Sequence, residues 1–146
     1  MSARKSPRSR FRELYKNWAV PVGCGLFFLC LLKIVFFVGV VPTGSMEPAI
    51  REGSFIVGLR LFNEPERGDI MVFTRNNRTL VKRISGVPGD TVYIDCEALT
   101  VPDGCYFMLG DNAKESIDSR YWDEPFIKRE HMRAKVFNKT VYAKII

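Results

Sequence analysis

Pro42-Thr43-Gly44-Ser45-Met46-Glu47-Pro48 stands where a long apolar run stops and a mixed, water-compatible sequence begins. Directly before it, Phe36-Phe37-Val38-Gly39-Val40-Val41 is β-branched and aromatic, and reads as a strand leading into Ser45. Upstream, residues 19–41 contain one charge, Lys33. A run of that length spans a bilayer as a helix. A cleaved signal peptide is the competing reading, but the run is too long and no small-x-small site precedes Pro42. A helix over 18–35 covers about 27 Å at ~1.5 Å per residue. Lys33 then lies near the far interface and avoids the ~2.5–3.5 kcal/mol cost of an ammonium in hydrocarbon. One straight helix to Val41 is the alternative.

The net charge of +6 over 146 residues suggests nucleic acid until it is located. Residues 1–18 carry six basic side chains against Glu13, and Lys33 adds one more. Residues 42–146 hold fifteen basic and fifteen acidic side chains. The excess is therefore an N-terminal tail, Ser- and Arg-rich over residues 1–10 and expected to be disordered. A basic tail beside an apolar run is a topology signal or an anionic-lipid contact. It places the N-terminus in the cytoplasm and residues 42–146 outside, with membrane lipid as a partner and nucleic acid excluded. The expected division is a tail (1–17), a transmembrane helix (18–35) and a β-rich outer domain (36–146).

That outer part reads as all-β. Strand candidates are 54–61, 69–74, 79–85, 91–95, 105–109 and 136–145, separated by turns at Glu64–Gly68, Asn76-Asn77, Pro88-Gly89-Asp90 and Pro102-Asp103-Gly104. A short helix is expected around 128–132. The fold class is mainly β: a small β-barrel or folded sheet behind one N-terminal helix. Cys24 and Cys30 lie in the apolar run as small hydrophobes. Spacing leaves a disulfide and two free thiols equally open for Cys96 and Cys105. The sole histidine, His131, has no cysteine or histidine near it in sequence, so neither a metal nor another cofactor is expected.

A serine hydroxyl needs a base to become a nucleophile. His131 lies among Arg129, Glu130 and Arg133 and reads as a solvated surface group. Lys82 lies inside Leu80-Val81-Lys82-Arg83-Ile84, where alternation sets Leu80, Lys82 and Ile84 on one face. If that face is buried, desolvation favours the neutral amine and lowers its pKa toward a useful range. The opposite arrangement, with Lys82 in solvent, is equally compatible with the alternation.

Four stretches resemble bacterial type I signal peptidases when read together: Ser45-Met46-Glu47-Pro48, Gly68-Asp69-Ile70-Met71-Val72-Phe73, residues 82–90 (Lys-Arg-Ile-Ser-Gly-Val-Pro-Gly-Asp), and Gly110-Asp111-Asn112 through Ser116-Ile117-Asp118-Ser119-Arg120. These are membrane-anchored Ser/Lys endopeptidases, and the likeness covers about residues 15–137. It implies Ser45 as nucleophile and Lys82 as general base, with Ser116 orienting the lysine. Thr43 would help the Ser45 N–H at the oxyanion, and an Asp118–Arg120 ion pair would support the Ser116 loop. The implied partners are exported preproteins, cut after small residues. The oligomeric state is left open.

Three departures stand out. Ala113, followed by Lys114, stands in the place of the family's usual arginine, the ribbon after the lysine motif is short, and residues 132–136 match only loosely. A catalytically inactive membrane-anchored β-module, or a dedicated peptidase for one pilus, conjugation or spore substrate, are the alternatives. Asn77-Arg78-Thr79 and Asn138-Lys139-Thr140 read as plain turn residues rather than glycosylation sites. Trp122 fits either a lipid interface or local packing.

Overall fold

The computed structural model describes residues 7–137, with helix side chains described at Tyr15 and from Trp18 onward. The chain divides between Val35 and Phe36 into two units. The first is a helix, α1 (Pro7–Val35). Proline suits the first helical position because the N–H it lacks would have no partner there. The expected disorder of residues 1–10 is thus corrected from Pro7 onward. The Arg-, Glu- and Leu-containing sequence that follows propagates helix well, and residues 1–6 lie outside the described part. Within α1, Trp18–Val35 is long and apolar enough to cross a membrane, and none of its residues is buried. Lys33 sits in the last turn.

The second unit begins where β-branched residues take over. It contains β1 (Phe36–Val40), β2 (Phe55–Leu59), β3 (Ile70–Arg75), β4 (Arg78–Gly86), β5 (Thr91–Ile94), β6 (Glu97–Thr100), β7 (Cys105–Leu109), β8 (Phe126–Lys128) and β9 (Met132–Val136). Seven strands form one sheet in the order β1-β2-β9-β3-β4-β7-β8, and β5 and β6 form a separate ribbon. The sheet ends in two edges, β1 and β8, so it is folded and open rather than a closed barrel. Two-residue turns at Asn76-Asn77 and Asp95-Cys96 join β3 to β4 and β5 to β6, all four residues with positive φ. Such turns match the twist of the strands they connect.

The last described strand is β9, ending at Val136; Phe137 is not in a strand, and residues 138–145 of the expected 136–145 strand lie outside the described residues. One expected feature is corrected. The expected helix at 128–132 is a single 3-10 turn, Arg129–His131.

β3 is the spine because it is apolar on both faces. Ile70 and Val72 join Val41, Met46, Ile50 and Ile56 in one core cluster. Met71 and Phe73 join Ile84, Tyr106, Met108 and Ile127 in another. Each such fully buried side chain contributes about 1.5–3 kcal/mol relative to exposure. The register pairs Met71 with Lys82, so β4 lays Lys82 on the second core's side of the sheet beside Ile84.

Candidate active site

Ser45 lies in a 3-10 turn, Gly44–Met46, all three residues buried. Met46 is fully buried and anchors the turn in the first core. The backbone is tied by Glu47 N–H to Gly44 O (3.0 Å) and Ile50 N–H to Met46 O (2.8 Å). Thr43 Oγ1 donates to Ser45 Oγ at 3.4 Å, a long and weak bond that brings the two hydroxyls together.

Lys82 is 3% exposed. Its Nζ donates to Ser116 Oγ at 2.9 Å. Burial lowers its pKa by penalising the ammonium, while Asp118 pulls it back up, Arg120 lowers it further and Asp111 raises it. Ser116 in turn hydrogen-bonds Asp118. A carboxylate only accepts, so the Ser116 proton is committed to Asp118 and its oxygen is left to accept from the amine. Lys82 Nζ thus donates one N–H to Ser116, and burial makes the loss of its charge easier.

Asp118 is completely buried. Burial alone would raise its pKa. Hydrogen bonds from Arg120, from the Gly110 N–H and from Ser116 outweigh that and hold it below the usual carboxylate range. Arg120 meets it as a fork, Nε to Oδ1 at 2.9 Å and Nη2 to Oδ2 at 2.8 Å. The next residue, Ser119, clamps the loop to β7 through Met108 N–H to Ser119 Oγ (2.9 Å) and Ser119 N–H to Met108 O (3.1 Å).

The structure thus brings together Lys82, Ser116, Asp118 and Arg120 as one bonded chain, and Thr43 with Ser45 as a second. Ser45 and Lys82 line the same groove, of about 940 Å³, without a direct hydrogen bond between them among the described residues. Catalytic bonds are often long before substrate binds. The groove runs between β1, which pairs only with β2, and the Arg78–Lys82 half of β4, whose side away from β3 has no ladder because β7 pairs from Arg83 onward. Two strand edges therefore border the groove.

Sequence reasoning missed several residues here. Arg83 forks onto Asp111 (both bonds 2.7 Å) and donates to Gly68 O at 2.7 Å, tying β4 to the 110–120 loop. Asn112 holds the Ser45 turn through Asn112 N–H to Ser45 O at 3.1 Å and Nδ2 to Gly44 O at 3.2 Å. Gly110 leaves no room for a side chain: a Cβ there would stand 2.5 Å from both Ser116 Cβ and Ser45 O. The one available signal was Gly110-Asp111-Asn112 itself, which spacing could not link to Ser45. Ala113 and Lys114 are exposed.

His131 is exposed, with Glu130 Oε1 at 3.9 Å from its Nε2, and does not line the groove. Trp122 packs edge-on against Phe73 and under the Arg75 guanidinium, which decides for local packing. All four cysteines are free. Among the described residues no group of acidic, histidine or cysteine side chains has the makings of a metal site.

Comparison with known proteins bears on this site. The family model described as "Signal peptidase, peptidase S26" matches residues 15–101 and 94–140. Signal peptidase I S of Bacillus subtilis (strain 168) is 30% identical over 164 residues, covering 86% of this chain and 89% of its own. Signal peptidase I of Bacillus amyloliquefaciens is 29% identical, covering 89% of this chain and 90% of its own. Signal peptidase I of Pseudomonas aeruginosa is 29% identical over 62% of this chain, a match that spans 56% of that longer relative. With the matched segments covering most of the chain, including the Ser45 turn and the 110–120 loop, the chain belongs to the peptidase S26 signal peptidase family.

Proposed function

We propose that this chain is a membrane-bound serine endopeptidase that removes signal peptides from exported preproteins, with Ser45 as nucleophile and Lys82 as general base. The observation that carries the reading is a desolvated lysine amine, hydrogen-bonded to Ser116, in the wall of the groove that also holds Ser45. A lysine in water is a poor base at neutral pH, and burial is what makes it a useful one.

The substrate adds as an extended strand between the edges of β1 and β4, as peptides do at open sheet edges. Shallow space beside Ser45 accepts small side chains at the first and third residues before the cut. Ser45 Oγ attacks the scissile carbonyl carbon and its proton passes to Lys82 Nζ. The oxyanion is met by the Ser45 N–H and the Thr43 hydroxyl, donors worth about 10²–10³ in rate each. Lys82 then protonates the departing amine, leaving Ser45 acylated. Next it deprotonates a water that attacks the ester, and the proton returns to Ser45 Oγ as the acid leaves. Asp118 and Arg120 hold Ser116, and Ser116 holds the amine.

Residues 1–17 form a cytoplasmic tail, 18–35 the span and 36–146 the outer peptidase domain, with the cationic tail setting that orientation. Anchoring beside the membrane raises the effective concentration of a signal segment held in the same bilayer. The test is cleavage of a preprotein in detergent. Ser45→Ala and Lys82→Ala abolish processing and remain folded, while His131→Ala cleaves normally. Normal cleavage by Lys82→Ala removes the proposal. Loss of cleavage in His131→Ala would mean the base had been misassigned.

A further inference from the structure

Resting on that reading, we infer that Asn112, set by Glu115, is a positioning residue that aims the backbone N–H of Ser45 at the oxyanion. Gly44 C=O and Ser45 N–H belong to the same peptide unit, and a trans peptide points them in opposite directions. Whatever fixes the carbonyl therefore fixes the direction of the N–H.

Two donors fix it. Gly44 O accepts from Glu47 N–H at 3.0 Å, within the turn, and from Asn112 Nδ2 at 3.2 Å, across from the 110–120 loop. The following carbonyl, Ser45 O, accepts from Asn112 N–H at 3.1 Å. One residue thus grips the carbonyls on both sides of the nucleophile's α-carbon, and the Ser45 N–H is turned away from Asn112.

Glu115 makes the grip directional. An amide side chain has a donor end and an acceptor end, and only the donor end serves Gly44 O. Glu115 Oε2 accepts from the same Asn112 Nδ2 at 3.3 Å, and Glu115 N–H donates to Asn112 O at 3.2 Å. With both amide hydrogens claimed by acceptors, a flipped amide would put its oxygen against the Glu115 carboxylate and the Gly44 carbonyl. Gly44 is also where this packing is closest, since a Cβ there would stand 2.9 Å from Glu115 Oε2. Asn112 and Glu115 therefore act on the oxyanion donor through hydrogen bonds that involve neither the Lys82 nor the Ser116 side chain.

The test separates transition-state from ground-state binding. Asn112→Ala removes the side-chain grip and keeps the backbone bond to Ser45 O. Wild type and variant are compared for kcat and KM on a short peptide substrate, and for inhibition by a peptide aldehyde, whose adduct with Ser45 carries the oxyanion. The expected result is a kcat lower by about 10²-fold. The aldehyde weakens to a similar degree, KM stays within about threefold, and the pH of the basic-group limb is unchanged. Asn112→Asp, which presents a second carboxylate to Glu115, falls at least as far. Equal weakening of substrate and aldehyde, or a kcat within threefold of wild type, overturns the inference while leaving the Ser45/Lys82 reading standing. Failure of wild type itself to cleave, although folded, would instead remove that underlying reading.

Discussion

A lysine at 3% exposure is costly unless it is neutral, and its surroundings decide the matter. Its folded pKa is lowered, so between that value and the unfolded value of about 10.4 the unfolded chain binds the extra proton. Stability contributed at this position therefore rises with pH through that window, and the penalty is fully present below it. Lys82→Met keeps the stem's packing and removes the penalty. It should raise Tm by about 4 °C or more near neutral pH, the shift that ~1 kcal/mol gives in a domain of this size, with no cleavage. The gain should shrink toward zero as pH approaches 10, which thermal melts across pH 6–10 will read. This residue was half legible in the sequence. Alternation grouped Leu80, Lys82 and Ile84, but only the pairing of Met71 with Lys82 shows which face is packed.

The 110–120 loop is the element that makes a site out of a sheet. It joins β7 to the Ser45 turn through Asn112, to β4 through Asp111, and to Lys82 through Ser116. At Gly110 it is packed tightly against Ser116 and the Ser45 backbone. Gly110→Ala forces a Cβ to within 2.5 Å of Ser45 O, so loop or turn must move. Cleavage should fall by at least 10²-fold, because ångström-scale misplacement at a reacting centre costs that much. The sheet should persist, as circular dichroism will show, with any loss of Tm confined to a few degrees.

Elements were legible in proportion to their punctuation. Asn76-Asn77 announced its hairpin, and β7 was bounded by Gly104 and Gly110. β6 was hidden because Asp95-Cys96 is not a usual turn pair, yet both residues adopt positive φ. β8 is three residues long, too short to show alternation. Asn112 was invisible because its partner, Gly44, is 68 residues away.

At the scale of the whole molecule, composition located the charge in the first 18 residues and left the β unit neutral. Helix gives way to strand at Val35–Phe36, a boundary that composition had left open as far as Val41. The order of strands was not legible, since β9 inserts between β2 and β3 from the far end of the chain. The membrane orientation yields its own expected outcome. Cys96 is exposed at a hairpin tip and is a native reporter for the β unit. A membrane-impermeant thiol reagent on intact cells should label Cys96 and should not label a cysteine introduced by Ser9→Cys. Labelling of position 9 without permeabilisation reverses the orientation.

The claim on which all of this depends is that burial turns the Lys82 amine into the base for Ser45. The pH dependence of kcat/KM on a preprotein substrate reads that amine directly in the free enzyme. The rate should climb through a single ascending limb lying well below lysine's ordinary 10.4, and the limb should vanish with activity in Lys82→Ala. A limb at the ordinary lysine value, or the same low limb surviving in Lys82→Ala, would contradict the account.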